Sequence, residues 1–86
     1  MGRPKRVAVP GAPTLTPRQT EILTLYARGL FSKEIGRELG ISYKTIEVLM
    51  IQAKQRLGAK RTTHAVAIAL HFGLIEFDPR SMADAE

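Results

Sequence analysis

The segment from Lys33 to Leu49 reads KEIGRELGISYKTIEVL. Within it, Gly36 is small enough for two helices to cross closely, and Gly40 can adopt the positive φ that turns the chain. Ser42, two residues after Gly40, is a typical N-cap for a second helix. The apolar residues of the segment fit the wedge between two such helices: Ile35, Leu39, Ile41, Ile46 and Leu49. A plain helical hairpin explains the apolar residues but not the two glycines and the cap, so the segment predicts a helix-turn-helix.

Helical signals continue on both sides of this segment. Before it, Thr16 and Gln19 have the spacing of a capping box around Pro17, and Gly29 predicts the end of this first helix. We expect Ser32 to cap the second helix. The third helix is expected to run from Ser42 to Gly58, and the fourth from a cap at Thr62 or Thr63 through Phe72 to Gly73.

No alternation typical of strands interrupts these helices, so the predicted fold is all-α. We expect a four-helix helix-turn-helix domain over residues 15–75. Most prolines precede it, which predicts a flexible basic arm over residues 1–14, and a short acidic tail is expected over residues 76–86.

The chain has 86 residues and no cysteine, which favours one small domain without disulfides or thiolate metal sites. Its two histidines lack neighbouring acids, and no acid, base and nucleophile converge, so we expect no metal, cofactor, small-molecule ligand or enzymatic activity. The longest apolar run, residues 65–70, is far too short to cross a bilayer. These features predict a cytoplasmic, single-domain protein. The chain is either a complete gene product, which Met1 and the basic arm favour, or the end of a larger one.

Charge is distributed unevenly along the chain. Residues 1–75 hold twelve Lys or Arg against four Glu, a net of +8, whereas residues 76–86 have a net of −3. A basic domain is expected of a protein that meets phosphate, although many small proteins are basic for solubility alone.

If the third helix enters a major groove, its buried stripe determines which side chains face the bases. The candidates for base reading are Lys44, Glu47, Val48, Ile51 and Gln55. Phosphate contacts are predicted for eight further residues: Arg18, Lys33, Tyr43, Thr45, Lys54, Arg56, Lys60 and Arg61. For each of the basic residues taken singly, a solvated surface charge is the better interpretation.

The fourth helix is apolar on nearly all sides, and a domain this small cannot cover it alone. We therefore predict a homodimer through Ala65, Ile68, Ala69 and Phe72. A membrane-surface helix is disfavoured because no cluster of Lys or Arg lines its polar face.

Ten short blocks between Leu15 and Ile75, among them LTPR, SKEI, GIS, RLG and GLI, resemble the DNA-binding domain of LuxR-type regulators. The resemblance implies a four-helix module whose third helix reads double-stranded DNA and whose fourth commonly dimerises. The family usually has Glu at the position of Gln19, Lys at Glu47, His at Leu49 and polar residues at Met50 and Ile51. Glu47 would either accept a hydrogen bond from cytosine or repel phosphate.

Two further resemblances are weaker. The helix-turn-helix is similar to the fourth region of bacterial sigma factors, and residues 2–6 are similar to half of an AT-hook. The latter implies that Arg3, Lys5 and Arg6 contact a minor groove. The alternative function is an interaction protein that binds RNA polymerase or a second regulator through the third or fourth helix, with Val48, Met50 and Ile51 forming the contact patch.

Overall fold

The structure is a computed structural model that describes residues 12–77. This part of the chain forms four helices, α1 (Pro17–Ala27), α2 (Ser32–Leu39), α3 (Tyr43–Leu57) and α4 (Thr62–His71), and contains no strand. The predicted all-α fold is confirmed. The predicted arm and tail lie almost wholly outside the described residues.

One core joins the four helices. Ile22 and Leu23 of α1 and Ile35 of α2 are fully buried, and they pack with the inner side of α3. Ala65 and Ala69 close the core from α4, and Ile75 covers it after that helix. Because α1 also packs against α2, α3 and α4, it is the support on which the helix-turn-helix rests.

The helix starts differ in how they are capped. The Thr16 hydroxyl accepts from the Gln19 amide at 3.2 Å and the Gln19 side chain accepts from the Thr16 amide at 3.0 Å, which is the predicted capping box. The Ser42 hydroxyl accepts from the Lys44 amide at 3.1 Å, also as predicted. The prediction for Ser32 is wrong, because Ser32 is already the first helical residue and Phe31 is the N-cap of α2.

The predicted cap of α4 is also wrong. Arg61 occupies the N-cap position with extended backbone, and no side chain there accepts from the first turn. Thr62 and Thr63 lie inside the helix. The prediction favoured threonine because its hydroxyl can cap a helix. The helix already begins at Thr62, so neither threonine is at the N-cap position.

The corner between α2 and α3 has the geometry that its glycines predicted. A Cβ on Gly36 would lie 2.5 Å from the carbonyl oxygen of Ile41, so only hydrogen fits there. Gly40 ends α2 in the left-handed region at φ 71°, and the Ile41 amide donates to the Gly36 carbonyl at 2.9 Å. The direction of α3 relative to α2 is therefore determined by backbone contacts.

Candidate nucleic-acid interface

α3 has one buried side and one exposed side. Ile46, Met50, Ala53 and Leu57 are buried at helical spacing. The opposite side carries an exposed row, here called the α3 ridge, which consists of Lys44, Val48, Ile51, Gln52 and Gln55. A helix of 15 residues is about 22 Å long, which suits a major groove.

Four of the five candidates for base reading lie on this ridge. Val48 is 52% exposed and Ile51 is 51% exposed, which is unusual for β-branched side chains on a small domain. Lys44 and Gln55 are exposed beside them and supply hydrogen-bonding groups. The ridge thus combines apolar and polar side chains, which is what contact with thymine methyls and base edges requires.

Glu47, the fifth candidate, is exposed but turns toward α2. Its carboxylate oxygen Oε2 accepts from the Ser32 hydroxyl at 3.2 Å. Burial raises the pKa of the Tyr26 hydroxyl, the Glu47 carboxylate raises it further, and the side chain of Ser32 acts in the opposite direction. Glu47 therefore lies on the flank of α3 that faces the end of α1 and the start of α2.

The predicted phosphate contacts near the start of α3 form one group. The ammonium of Lys33 lies 5.2 Å from the centre of the Tyr43 ring, a cation–π distance. These two residues line an open cleft of about 370 Å³ together with Arg37 and the glycines of the corner. Thr45, two residues after Tyr43, is exposed on the opposite flank of α3.

A second group of predicted contacts lies toward the end of α3. The Arg56 guanidinium donates to the carbonyl and the hydroxyl of Thr14, both at 3.3 Å, and Lys60 and Arg61 are exposed in the following loop. The two groups thus stand at opposite ends of the ridge. Thr14 is the link to the predicted arm, so the chain approaches α1 beside this end of α3. Arg3, Lys5 and Arg6 lie outside the described residues.

Two of the residues predicted to contact phosphate are less free to bind DNA than the others. Arg18 donates to the Glu21 carboxylate at 3.0 Å on the surface of α1, so it is paired within its own helix. Lys54 is partly buried on the flank of α3 that carries Glu47. Neither residue is brought to the α3 ridge by a contact in the structure.

Sequence reasoning missed three residues of this surface. Arg37 lines the cleft with Lys33, and its i+4 spacing from Lys33 was the signal that could have found it. Gln52 lies on the ridge four residues after Val48, and it lines a cleft with Gln55 and Arg56. Phe31, 76% exposed, gave no signal, because an apolar residue before a helix is normally expected to pack.

Two assignments to protein contacts need correction. Ala65 and Ala69 are fully buried against their own core, so they cannot contact a partner as the dimer prediction required. Ile68 and Phe72 are partly exposed on the flank of α4, whereas Ala67 and Leu70 lie on its outer side. Met50 is likewise buried and does not contribute to an apolar patch with Val48 and Ile51.

None of the four helices in residues 12–77 is long and apolar enough to cross a membrane. No group of three or more His, Cys, Asp or Glu in the same range is arranged to hold a metal ion.

A helix-turn-helix corner with a mixed polar and apolar ridge on its second helix, flanked by basic groups at both ends, defines a DNA-binding domain of the helix-turn-helix class. The model of the family described as bacterial regulatory proteins, luxR family, matches residues 13–69. The chain belongs to this family of DNA-binding transcription regulators, and the predicted resemblance is confirmed.

Individual relatives agree with this assignment. The chain is 39% identical over 61 residues to the transcriptional activator protein BjaR1 of Bradyrhizobium diazoefficiens, a match that covers 71% of this chain and 25% of that protein. The chain therefore spans about a quarter of that relative's length.

Two solved structures share the fold. The transcription factor GerE superimposes with a TM-score of 0.71 at 33% identity, covering 74% of this chain and 96% of GerE. VqmA of Vibrio cholerae, in a complex with a ligand and DNA, superimposes with a TM-score of 0.69 at 28% identity, covering 93% of this chain and 34% of VqmA. VqmA has also been solved as a dimer in the absence of its target DNA.

Proposed function

We propose that the chain binds double-stranded DNA sequence-specifically as a homodimer, with α3 in the major groove, and thereby regulates transcription. The observation that carries the proposal is the α3 ridge, which is exposed along its length while the opposite side of the same helix is locked into the core. A helix held in this way presents its outer side chains in one orientation, which direct reading of base edges requires.

The polar and the apolar side chains of the ridge have different proposed roles. Lys44 and Gln55 supply donors and an acceptor for base edges, and Val48 and Ile51 supply apolar surface for thymine methyls. Lys33 and Arg56, at the two ends of the ridge, are proposed to contact phosphates, which give affinity without sequence information. For Arg56 this requires the guanidinium to leave Thr14 or to bridge Thr14 and a phosphate.

The basic start of the chain adds to this proposal. Arg56 contacts Thr14, the last residue of the predicted arm, beside the end of α3. The proposal assigns Arg3, Lys5 and Arg6 to an adjacent minor groove, because narrow A·T-rich tracts attract arginine. Their removal is expected to lower affinity and to reduce a preference for flanking A·T pairs.

Duplexes selected from a random library provide the test, followed by a salt titration of binding to the selected sequence. Binding is expected to weaken steeply with salt, with a logarithmic slope of about −0.9 per phosphate contact. Gln55→Ala should cost about 1–3 kcal/mol and relax one position of the site, whereas Lys33→Ala should weaken all sequences alike and reduce the slope by about 1.

The two variants act as controls for each other. If Gln55→Ala weakens all duplexes equally, as Lys33→Ala does, the ridge does not read bases and the proposed role of α3 is wrong. If the unmodified protein binds no DNA duplex at low salt, the proposal as a whole is wrong.

The homodimer is proposed through the outer side of α4, with Ala67 and Leu70 at its centre and Ile68 and Phe72 at its edge. Leu70 is 38% exposed on a helix that is apolar on most sides, and VqmA is dimeric. A dimer would place two α3 helices on half-sites about 34 Å apart.

Sedimentation velocity tests the dimer. Leu70→Glu should convert dimer to monomer and weaken binding to a palindrome while leaving binding to one half-site unchanged. Phe31→Glu is the matched control for sedimentation alone, because it adds the same charge at an exposed apolar residue that lies outside α4. A protein that stays monomeric while occupying both half-sites would contradict this interface.

A second candidate function is favoured by one observation, the exposure of Val48, Ile51 and Phe31. These side chains would suit an interaction protein that binds another regulator or RNA polymerase. Substitutions on α3 distinguish the two functions. If Lys44→Ala and Gln55→Ala leave DNA retention unchanged while Ile51→Glu abolishes capture of a protein partner, the second function is the correct one.

A further inference from the structure

Glu47 is the one acidic side chain of α3, and the structure places it at the start of α2. Its Oε2 accepts from the hydroxyl of Ser32, the first residue of that helix. These residues are 15 positions apart in the chain, so the bond connects the two helices of the helix-turn-helix. It holds the carboxylate on the flank of α3 beside the ridge, facing the start of α2.

A second carboxylate lies at the same helix start. The Glu34 side chain accepts from the backbone amide of Phe31 at 2.7 Å, while Phe31 itself offers no capping group. The positive end of a helix dipole and its free amides favour an anion, and in a DNA-binding domain a phosphate could supply it. Here two side chains of the protein already supply negative charge at this point.

The position of Glu47 is supported by its effect on Tyr26. Burial is the main reason that the pKa of this hydroxyl is raised, and the negative charge of Glu47 adds to the rise. The Glu47 carboxylate, bonded to Ser32 at the start of α2, is therefore also near the Tyr26 hydroxyl of α1.

We propose that Glu47, positioned by Ser32, is a specificity-determining residue that excludes phosphate from the start of α2 and accepts a hydrogen bond from the amino group of a cytosine. The inference rests on the proposed DNA-binding function. Its first effect is to weaken binding to DNA of arbitrary sequence, because every duplex brings phosphates to this flank of α3. Its second effect is to favour sites that offer a base donor there.

The second effect is chemically possible because a carboxylate has about four acceptor positions, and the Ser32 hydroxyl takes one. Among major-groove groups, the amino group of cytosine is the usual donor to a glutamate. Ser32 limits where the carboxylate can be, so the preference depends on both residues.

Glu47→Gln tests the exclusion of phosphate. Binding to a mixed-sequence duplex at low salt is expected to tighten about fivefold, since one repulsive charge pair at contact distance is removed. The gain should shrink as salt screens the repulsion. Glu47→Lys should tighten binding further and make the salt slope steeper by about 0.9, the value for one added phosphate contact.

Glu38→Gln is the matched control, because it changes the net charge equally at an exposed position of α2. Glu38 lines a groove with Thr20 and Thr24 between α1 and α2 and is not linked to α3 by a hydrogen bond in the structure. Its affinity should remain within about twofold of the unmodified protein. Equal gains for Glu38→Gln and Glu47→Gln would reduce the effect to net charge and overturn the proposal, as would no gain for Glu47→Gln.

Ser32→Ala tests the positioning. The charge of Glu47 remains in this variant, so affinity for mixed-sequence duplex should stay within about twofold, whereas the preference for cytosine in selected duplexes should fall by about fivefold. An unchanged preference would refute the role of Ser32. Thermal unfolding of each variant checks that the fold is kept.

Failure of this inference differs from failure of the proposed function. If the unmodified protein binds duplex DNA with a steep salt slope but Glu47→Gln behaves like Glu38→Gln, only the inference is lost. If neither the unmodified protein nor Glu47→Lys binds any duplex, the proposed function and the inference are both wrong.

Discussion

The corner between α2 and α3 and the outer helix α4 are held in place by different means. At the corner, Gly36 lies so close to the backbone of the turn that a Cβ on it would be 2.5 Å from the Ile41 carbonyl oxygen. α4 is held only on its inner side, where Ala65 and Ala69 pack into the core, and its first turn has no side-chain cap. The corner permits one arrangement of its helices, whereas α4 leaves an apolar outer side for other contacts.

This difference corresponds to the two proposed tasks. Reading bases requires a helix of fixed orientation, since a misplaced side chain loses its hydrogen bonds. An interface between subunits requires exposed apolar surface, which the outer side of α4 supplies through Ala67 and Leu70.

The largest expected effect is at Gly36. Gly36→Ala should lower the free energy of unfolding by about 3 kcal/mol, because the added methyl meets backbone atoms that cannot rotate away. Helix propensity alone predicts the opposite, a gain of about 1 kcal/mol from glycine to alanine. Urea unfolding measures the difference.

Arg37→Ala is the control for this variant. It lies next to Gly36 in α2 but is exposed, so its effect should stay within about 0.5 kcal/mol. If Gly36→Ala is instead as stable as the unmodified protein, the corner is not closed as tightly as the structure describes.

The inner side of α4 provides the next comparison. Ala69→Leu should destabilise the domain by about 2 kcal/mol, because the site is fully buried and has no room for a larger side chain. Ala67→Leu, two residues earlier on the exposed side, should change the free energy of unfolding by less than about 0.5 kcal/mol. Both variants are measured in the monomeric Leu70→Glu background, because association would otherwise contribute to stability. Equal effects at both sites would contradict the orientation of α4.

Sequence reasoning succeeded where the chain itself dictates the geometry. The turn at Gly40, the close approach at Gly36 and the caps at Thr16 and Ser42 each depend on residues within a few positions of one another. Helical spacing was also sufficient to divide α3 into a buried and an exposed side.

It failed where the neighbours of a side chain come from distant parts of the chain. A helix that is apolar all round gives no sign of which side faces the core, so Ala65 and Ala69 were assigned to a dimer interface. The link between Ser32 and Glu47 spans 15 residues and follows no local pattern, so Ser32 was expected to cap a helix. Met50 was assigned to a surface patch, and only the packing of α3 against the other helices shows that it is buried.

The smallest expected effect concerns the first turns of α3 and α4. Ser42→Ala should lower the free energy of unfolding by about 1 kcal/mol, because the Lys44 amide loses its acceptor. Arg61→Ser should raise the free energy of unfolding by about 1 kcal/mol. The extended backbone at this N-cap suits a capping hydroxyl, and a positive charge is removed from the positive end of the helix.

Arg61→Gln is the control, because it removes the same charge without adding a hydroxyl cap. The difference between the two Arg61 variants therefore measures the cap itself. The midpoint of urea unfolding at constant slope is the measurement. A loss of stability in Arg61→Ser relative to Arg61→Gln would mean that the start of α4 is already satisfied, and the contrast between the two helices would not hold.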